Sequence, residues 1–497
     1  MKKISRREAL KIAALAGGSI LLPVGLQYRG YAQRTDERVE PFTLPFRTPP
    51  VLNPVRSDST TDYYQIAMQK AQVGVLPGRT TEIWGYNATF PGPTIRQSRN
   101  RQSIIRYINN LDVDTSVHLH GMPSLPQYDG YAEDLIPPGY YKDYVYPNPS
   151  SAILWYHDHA LGQTSRNVYM GLAGMYIVQD NEELSLPLPR GDRDIPLIIH
   201  DKQFASDGSL IFDDQGQHSL MGEVITVNGV PWPRMEVANY KYRFRVLNAS
   251  ISRSYRLALS TGDDFTVIGT DAGLMTAPVN TQNMRLAMAE RYDIVIDFSK
   301  YPIGSQVILQ NLGLPNNDNF GNTNVIMRFD VVRSESDNSL IPSTLRNIQF
   351  LSESSAVRSR DFTFDHVNSV WVINGNGWNS NRVDANPQLE EVEIWRLHNP
   401  SGLWFHPVHL HLIDAQILDR NGQAPFPYER GLKDVFYVGE NETVRIIGRF
   451  RPHLGKYMYH CHNMVHEDHD MMSQFQVGQG GINPMSAPAQ PLPAPPL

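Results

Sequence analysis

The stretch His460-Cys461-His462-Asn463-Met464-Val465-His466-Glu467-Asp468-His469-Asp470-Met471-Met472 decides how this chain is read. Cys461 is the only cysteine in 497 residues, so no intramolecular disulfide can form. Histidines flank it on both sides, and His466, Met471 and Met472 follow closely. Thiolate, imidazole and thioether together make a soft ligand set for a redox-active metal. Tyr457 to His462 reads as a strand, along which side chains alternate between faces. Cys461 then faces one way while His460 and His462 face the other. Three consecutive residues can serve two sites, one on each side of the strand.

Further histidines are available for the second site. His118-Leu119-His120-Gly121 and His157-Asp158-His159 are pairs, and His406-Pro407-Val408-His409-Leu410-His411 is a triple. Each H-x-H places both imidazoles on one strand face. Ten of the sixteen histidines fall in these four clusters, which argues against a purely structural role. Zinc would favour a closed four-ligand site. Ten clustered histidines with one Cys and a spaced Met point instead to copper, since thiolate, imidazole and thioether are the ligand set of a blue-copper electron-transfer site.

The four clusters, in this order, resemble the signature of the multicopper oxidases, the family of laccases, bilirubin oxidases and ascorbate oxidases. The run H-C-H-x-x-x-H-E-D-x-D-M-M is most similar to bacterial spore-coat laccases and bilirubin oxidases. The resemblance spans nearly the whole chain after its N-terminal leader. It implies an all-β fold of three cupredoxin-like Greek-key β-sandwich domains and four copper ions. A type 1 copper is expected on His406, Cys461 and His466, with Met471 as the weak axial ligand and Met472 as the competing candidate. A type 2 copper is expected on His118 and His409. Two type 3 coppers are expected on His120, His157, His159, His411, His460 and His462. Electrons from a one-electron donor would pass along Cys461 to its neighbours His460 and His462, where dioxygen is reduced to water. Glu467 and Asp129 match acidic residues that the family uses near the oxygen site, and are candidate proton relays. Against this, Asp129-Gly130 is a common turn pair, and Glu467 could instead orient a ligand.

Short runs rich in Val, Ile, Tyr and Phe, separated by Gly, Pro, Asn and Asp, support the all-β expectation independently. Punctuation places domains at residues 45–180, 194–333 and 348–478, followed by a Pro-rich tail, 479–497, expected to be disordered. The histidine clusters fall in the first and third domains, so the copper cluster is expected between them, with the second as a spacer. Asn311 to Asn324 reads as a solvated loop without a function.

Residues 1–32 resemble a twin-arginine export signal: Ser5-Arg6-Arg7, a short apolar stretch from Ile12, and a small-residue cleavage site at Gly30-Tyr31-Ala32. The expectation is a periplasmic or otherwise exported monomer that uses the twin-arginine machinery. The chain carries −7 and the leader +5, leaving −12 for the remainder. That balance argues against nucleic acid as a partner. Two other functions compete with a phenol oxidase. A cuprous or other metal-ion oxidase usually carries added Met clusters, absent from this sequence. A copper-free structural cupredoxin-fold protein would have lost ligands, whereas every ligand position is filled.

Overall fold

Strands repeat one pairing scheme three times along the chain. The computed structural model describes residues 39–213, 219–402 and 404–497. The expected leader lies outside the described residues. In each third, an early strand pairs in parallel with a later one: Thr61–Val73 with Gln102–Asn109, Asp194–Lys202 with Lys241–Asn248, and Arg358–Val367 with Val392–Asn399. Each third also joins a second segment in parallel to its last strand: Ile95–Ser98 to Ala173–Gln179, Arg234–Ala238 to Val325–Arg333, and Ala385 to Phe475. The remaining pairs are mainly antiparallel, and six sheets result, two for each third. The chain is therefore all-β, with three β-sandwiches. Among the described residues, helices are confined to short segments such as Thr164–Met170 and Met464–Asp468.

Each sandwich has its own apolar core. Tyr64, Ile105 and Tyr144 centre the first, Phe244, Ile294 and Phe329 the second, and Trp395, Val408 and Phe475 the third. A fourth cluster belongs to no single sandwich. Trp155 and Met175 from the first meet Leu247 and Ala289 from the second and Val435, Met464 and Val465 from the third. Apolar burial at roughly 25 cal/mol per Å² thus fixes the three sandwiches against one another around the histidine strands.

One segment departs from its sequence-based expectation. The tail is ordered: Gln490–Pro491 pairs with Tyr140 and Tyr141 of the first sandwich, and Leu492 N–H donates to Gly139 O at 3.0 Å. Arg106 reaches the carbonyl of Pro495. Prolines lack an N–H but keep a carbonyl, so a Pro-rich strand can still pair at a sheet edge. The Asn-rich loop is also anchored. Leu314 packs beside Phe405, Tyr437 and Met288, and Asn316 Nδ2 donates to Glu440 of the third sandwich.

Candidate metal centre

Strand register delivers the ligand candidates. The strand Gly455–Cys461 lies between His406–Leu410 and Met472–Val477. His409 sits opposite His460 and Val408 opposite Cys461. His460 sits opposite Met472, and Cys461 N–H donates to Met471 O at 3.1 Å. Alternation then divides the sites as the sequence suggests. Cys461 and Met471 lie in the core of the third sandwich with Val408 and Phe364. Met472 faces the other way, toward Tyr131 and Met458.

Inside that core, His406 Nδ1 lies 3.4 Å and His466 Nδ1 3.6 Å from Cys461 Sγ, and the two imidazole nitrogens are 3.3 Å apart. His466 is placed by the short helix Met464–Asp468, whose cap Asn463 accepts from Val465 N–H and from Ser252 Oγ of the second sandwich. All of Cys461, His406, His466 and Met471 are fully buried. The Trp371 indole stacks on His466 with centroids 3.7 Å apart. Burial pushes the Cys461 thiol up, so its thiolate form needs a cation beside it. The same cause holds His406 down to about 3, leaving a neutral imidazole ready to bind a metal.

The outer face of the same strands meets the first sandwich. Strand Val117–His120 pairs with Ala152–Asp158, His118 opposite His157. Three groups of three imidazoles gather there: His120, His157 and His462; His159, His411 and His460; and His118, His409 and His411. His118 Nε2 and His409 Nε2 are 3.3 Å apart. His460 Nε2 lies 3.2 Å from both His159 Nε2 and His411 Nε2. Burial holds His118, His120, His157, His159, His409, His411 and His462 below their ordinary range, His157 to about 3 and His159 to about 4. Neutral imidazoles facing each other nitrogen to nitrogen share at most one proton for each pair. His120 Nδ1, His157 Nε2 and both nitrogens of His462 are buried with no hydrogen-bond partner. Buried polar atoms are normally paired. A cation bound to nitrogens at roughly 2.0–2.1 Å would satisfy these atoms and account for the close nitrogen contacts, so the residues fit copper.

Both proposed relay residues lie at this cluster. Asp129 Oδ2 accepts from His411 Nδ1 at 2.7 Å, and its carbonyl lies 2.5 Å from His118 Nδ1. Glu467 lies 3.1 Å from His460 Nδ1 and 3.5 Å from His159 Nδ1. Each acidic residue therefore contacts the far nitrogen of ligand candidates from both sandwiches, Asp129 through its carboxylate on His411 and its carbonyl on His118, a geometry that orients imidazoles. Burial pushes Asp129 up. At Glu467 burial also acts upward, but His460, His159 and His157 outweigh it and bring the carboxyl down to about 2.

Sequence reasoning missed a third carboxylate. Asp434 Oδ1 lies 2.9 Å from His120 Nε2, and its carbonyl accepts from His409 Nδ1 at 2.9 Å. Lys433-Asp434 before the apolar strand Val435–Val438 is its only local mark. Nor is the second sandwich a mere spacer. Arg291 holds the Asp434 carboxylate, and Ser252 holds Asn463. Of the six histidines outside the clusters, His218 lies outside the described residues. His200 is buried in the second sandwich's strand Asp194–Lys202, beside Phe90.

Comparison with known proteins agrees with this geometry. Three family models, each described as multicopper oxidase, match residues 67–183, 209–329 and 351–481. A bilirubin oxidase of Albifimbria verrucaria is 40% identical over 464 residues, covering 87% of this chain and 81% of that protein. A laccase of Bacillus subtilis (strain 168) is 34% identical, covering 88% and 99%. The crystal structure of a laccase from Pediococcus acidilactici superposes with a TM-score of 0.82 at 31% identity, covering 90% of this chain and 96% of that one. Three cupredoxin-like sandwiches, buried histidine groups that fit copper and these relatives lead to one conclusion: the chain belongs to the multicopper oxidase family, as a laccase-like oxidase.

Proposed function

We propose that this chain binds four copper ions and couples one-electron oxidation of phenolic or related aromatic donors to reduction of dioxygen to water. One observation carries the reading: Cys461, in the core of the third sandwich, is covalently joined on both sides to His460 and His462, which face the first sandwich. His406, Cys461, His466 and Met471 would hold the type 1 copper. His118 and His409 would hold type 2. The triples His120, His157, His462 and His159, His411, His460 would hold the two type 3 ions. Bound copper supplies one-electron redox chemistry and a store of four electrons for dioxygen.

The protein's own residues do the rest. Cys461 and its peptide neighbours form the shortest covalent path between the two sites. Trp371 and the surrounding core exclude water from His466 and the thiolate. Glu467 and Asp129 hold ligand imidazoles in one tautomer and are placed to pass protons toward the cluster. The relatives named bilirubin oxidase and laccase support an organic donor. Export by the twin-arginine route rests on residues 5–32 alone.

The test is stoichiometry. Copper-loaded protein is supplied with a diphenol, bilirubin or Cu(I), and donor oxidised is measured against dioxygen consumed. Four donor electrons for each dioxygen, with an organic donor preferred over Cu(I), supports the reading. Accumulation of hydrogen peroxide at two electrons for each dioxygen, or preference for Cu(I), contradicts it.

A further inference from the structure

Among the described residues the second sandwich contributes no ligand candidate, yet its strand Arg291–Asp297 begins at the copper cluster. Arg291 is completely buried. Its Nη1 and Nη2 donate to the two oxygens of Asp434 at 2.6 Å each, and its Nε donates to Ile153 O of the first sandwich at 2.7 Å. One guanidinium thus touches all three sandwiches. Asp271, also of the second sandwich, accepts from Arg291 N–H at 2.8 Å and from Asp434 N–H and Val435 N–H at 3.2 Å each. Lys433 lies 3.0 Å from Asp271 and 3.1 Å from Glu290, which completes a buried network of two cations and three carboxyl groups. A planar fork held at both nitrogens fixes its carboxylate in orientation as well as position.

That carboxylate fixes two histidines of different groups. With Arg291 satisfying Asp434 as an anion, His120 must present Nε2–H to Asp434 Oδ1. The unprotonated atom of His120 is then Nδ1, the buried atom that has no hydrogen-bond partner. The Asp434 carbonyl takes Nδ1–H of His409, so the free atom there is Nε2, which faces His118 Nε2. Gly121 supplies independent support. It directly follows the His118-Leu119-His120 triplet with φ +89°, and a Cβ there would come within 2.7 Å of Arg291 Nη2 and 2.8 Å of Asp434 Oδ2. The glycine leaves the space through which the ion pair reaches His120.

We infer that Asp434, clamped by Arg291 of the second sandwich, is a positioning residue that selects Nδ1 of His120 and Nε2 of His409 as the copper-binding atoms, so that a sandwich without ligands sets the geometry of the type 2 and type 3 sites. The inference rests on the copper reading above and goes beyond it by assigning a role to residues outside the ligand set. Partners of this kind typically change metal affinity by about 10–100-fold when altered. The type 1 site is served by other residues and acts as an internal control.

The experiment compares wild type with Asp434→Asn and Arg291→Lys, all copper-loaded. An Asn amide can offer N–H where the carboxylate only accepts, and Lys keeps the charge while losing the fork. Copper retention against a chelator, the blue absorption and the EPR spectrum are measured for each. Expected in Asp434→Asn is faster release of the trinuclear copper by about 10–100-fold, with a changed EPR signal for the copper of His118 and His409 and the blue absorption retained. Arg291→Lys should change the same observables in the same direction by less. If Asp434→Asn does not fold, Arg291→Lys and Gly121→Ala carry the test. Wild-type retention and an unchanged EPR signal in the variants would overturn the inference. So would loss of blue and trinuclear copper at one common rate, the mark of a merely structural role. A wild-type chain that retains no copper on these histidines would instead overturn the copper reading, and this inference with it.

Discussion

Met471 and Met472 are neighbours in sequence and face opposite sides of one strand junction, and only Met471 shares the buried space of Cys461. A weak axial thioether tunes the potential of a copper–thiolate site. Met471→Leu should keep the blue absorption and raise the reduction potential, because a donor to Cu(II) is lost. Met472→Leu should leave the potential unchanged. A redox titration of both variants checks this, and the reverse pattern would move the axial role to Met472. Glu467 allows a separate test at the same scale. Glu467→Gln keeps the shape of the side chain beside His460 and His159 but cannot exchange a proton near neutral pH. Reduction by donor should continue at the wild-type rate, while reoxidation by dioxygen falls by about 10²-fold or more. Unchanged reoxidation in stopped-flow measurements would remove the relay role. Loss of copper would assign Glu467 to orientation alone.

At the scale of the element, the histidine clusters were legible because strands have a period of two. Alternation around Cys461 and the H-x-H pairs needs only local sequence. The contacts made by Asp434 were not legible. Its partner His120 lies 314 residues away in the sequence, and neither residue's neighbours encode the pairing. Arg291 likewise opens an ordinary apolar strand, and only the assembled interface gives it a partner. The tail was misread for a physical reason: its composition resembles a disordered segment, but its carbonyls and few N–H groups suffice for an edge pairing. A buried charge at the end of a strand gives the pH prediction. Lys202 closes the strand Asp194–Lys202 and donates to Tyr169 O of the first sandwich at 2.6 Å. Burial pulls its ammonium down to about 7, against some support from Asp201. Below pH 7 both folded and unfolded chains carry the proton, and the burial penalty is present in full. Between pH 7 and about 10.4 the unfolded chain keeps the proton and the folded one releases it, so stability rises with pH. The wild-type minus Lys202→Met difference in urea unfolding should therefore rise by a few kcal/mol, at about 1.4 kcal/mol per pKa unit, between pH 6.5 and 9.5. A flat difference would contradict the burial argument.

For the whole molecule, the two ligand-bearing sandwiches are held together in three ways: by the shared apolar cluster, by carboxylates that bridge their histidines, and by the C-terminal strap. The overall three-sandwich plan could be read from strand spacing and from the family resemblance, because each sandwich repeats the same pairing. How the sandwiches dock could not, since docking depends on Trp155, Leu247 and Met464, which look like ordinary core residues in sequence. Deleting residues 479–497 removes the edge pairing with Tyr140 and Tyr141 and the Arg106 contact. At about 1 kcal/mol for each hydrogen bond, the deletion should cost roughly 1–3 kcal/mol in unfolding free energy while leaving the blue absorption intact. A chain whose unfolding midpoint does not move would show that the strap carries no load.

In the proposed function one strand serves two copper sites, with Cys461 as the ligand of one and the link to the other. Cys461→Ser tests it most directly, by copper content and absorption on protein loaded in parallel with wild type. A hydroxyl is a poor ligand at this site, whereas His460 and His462 face the other way and keep their partners. Expected are loss of the blue absorption and of one copper in four, with the trinuclear copper and its EPR signal retained and electron transfer from donor to dioxygen abolished. A variant that stays blue, or that loses the histidine-bound copper together with the blue site, would contradict it.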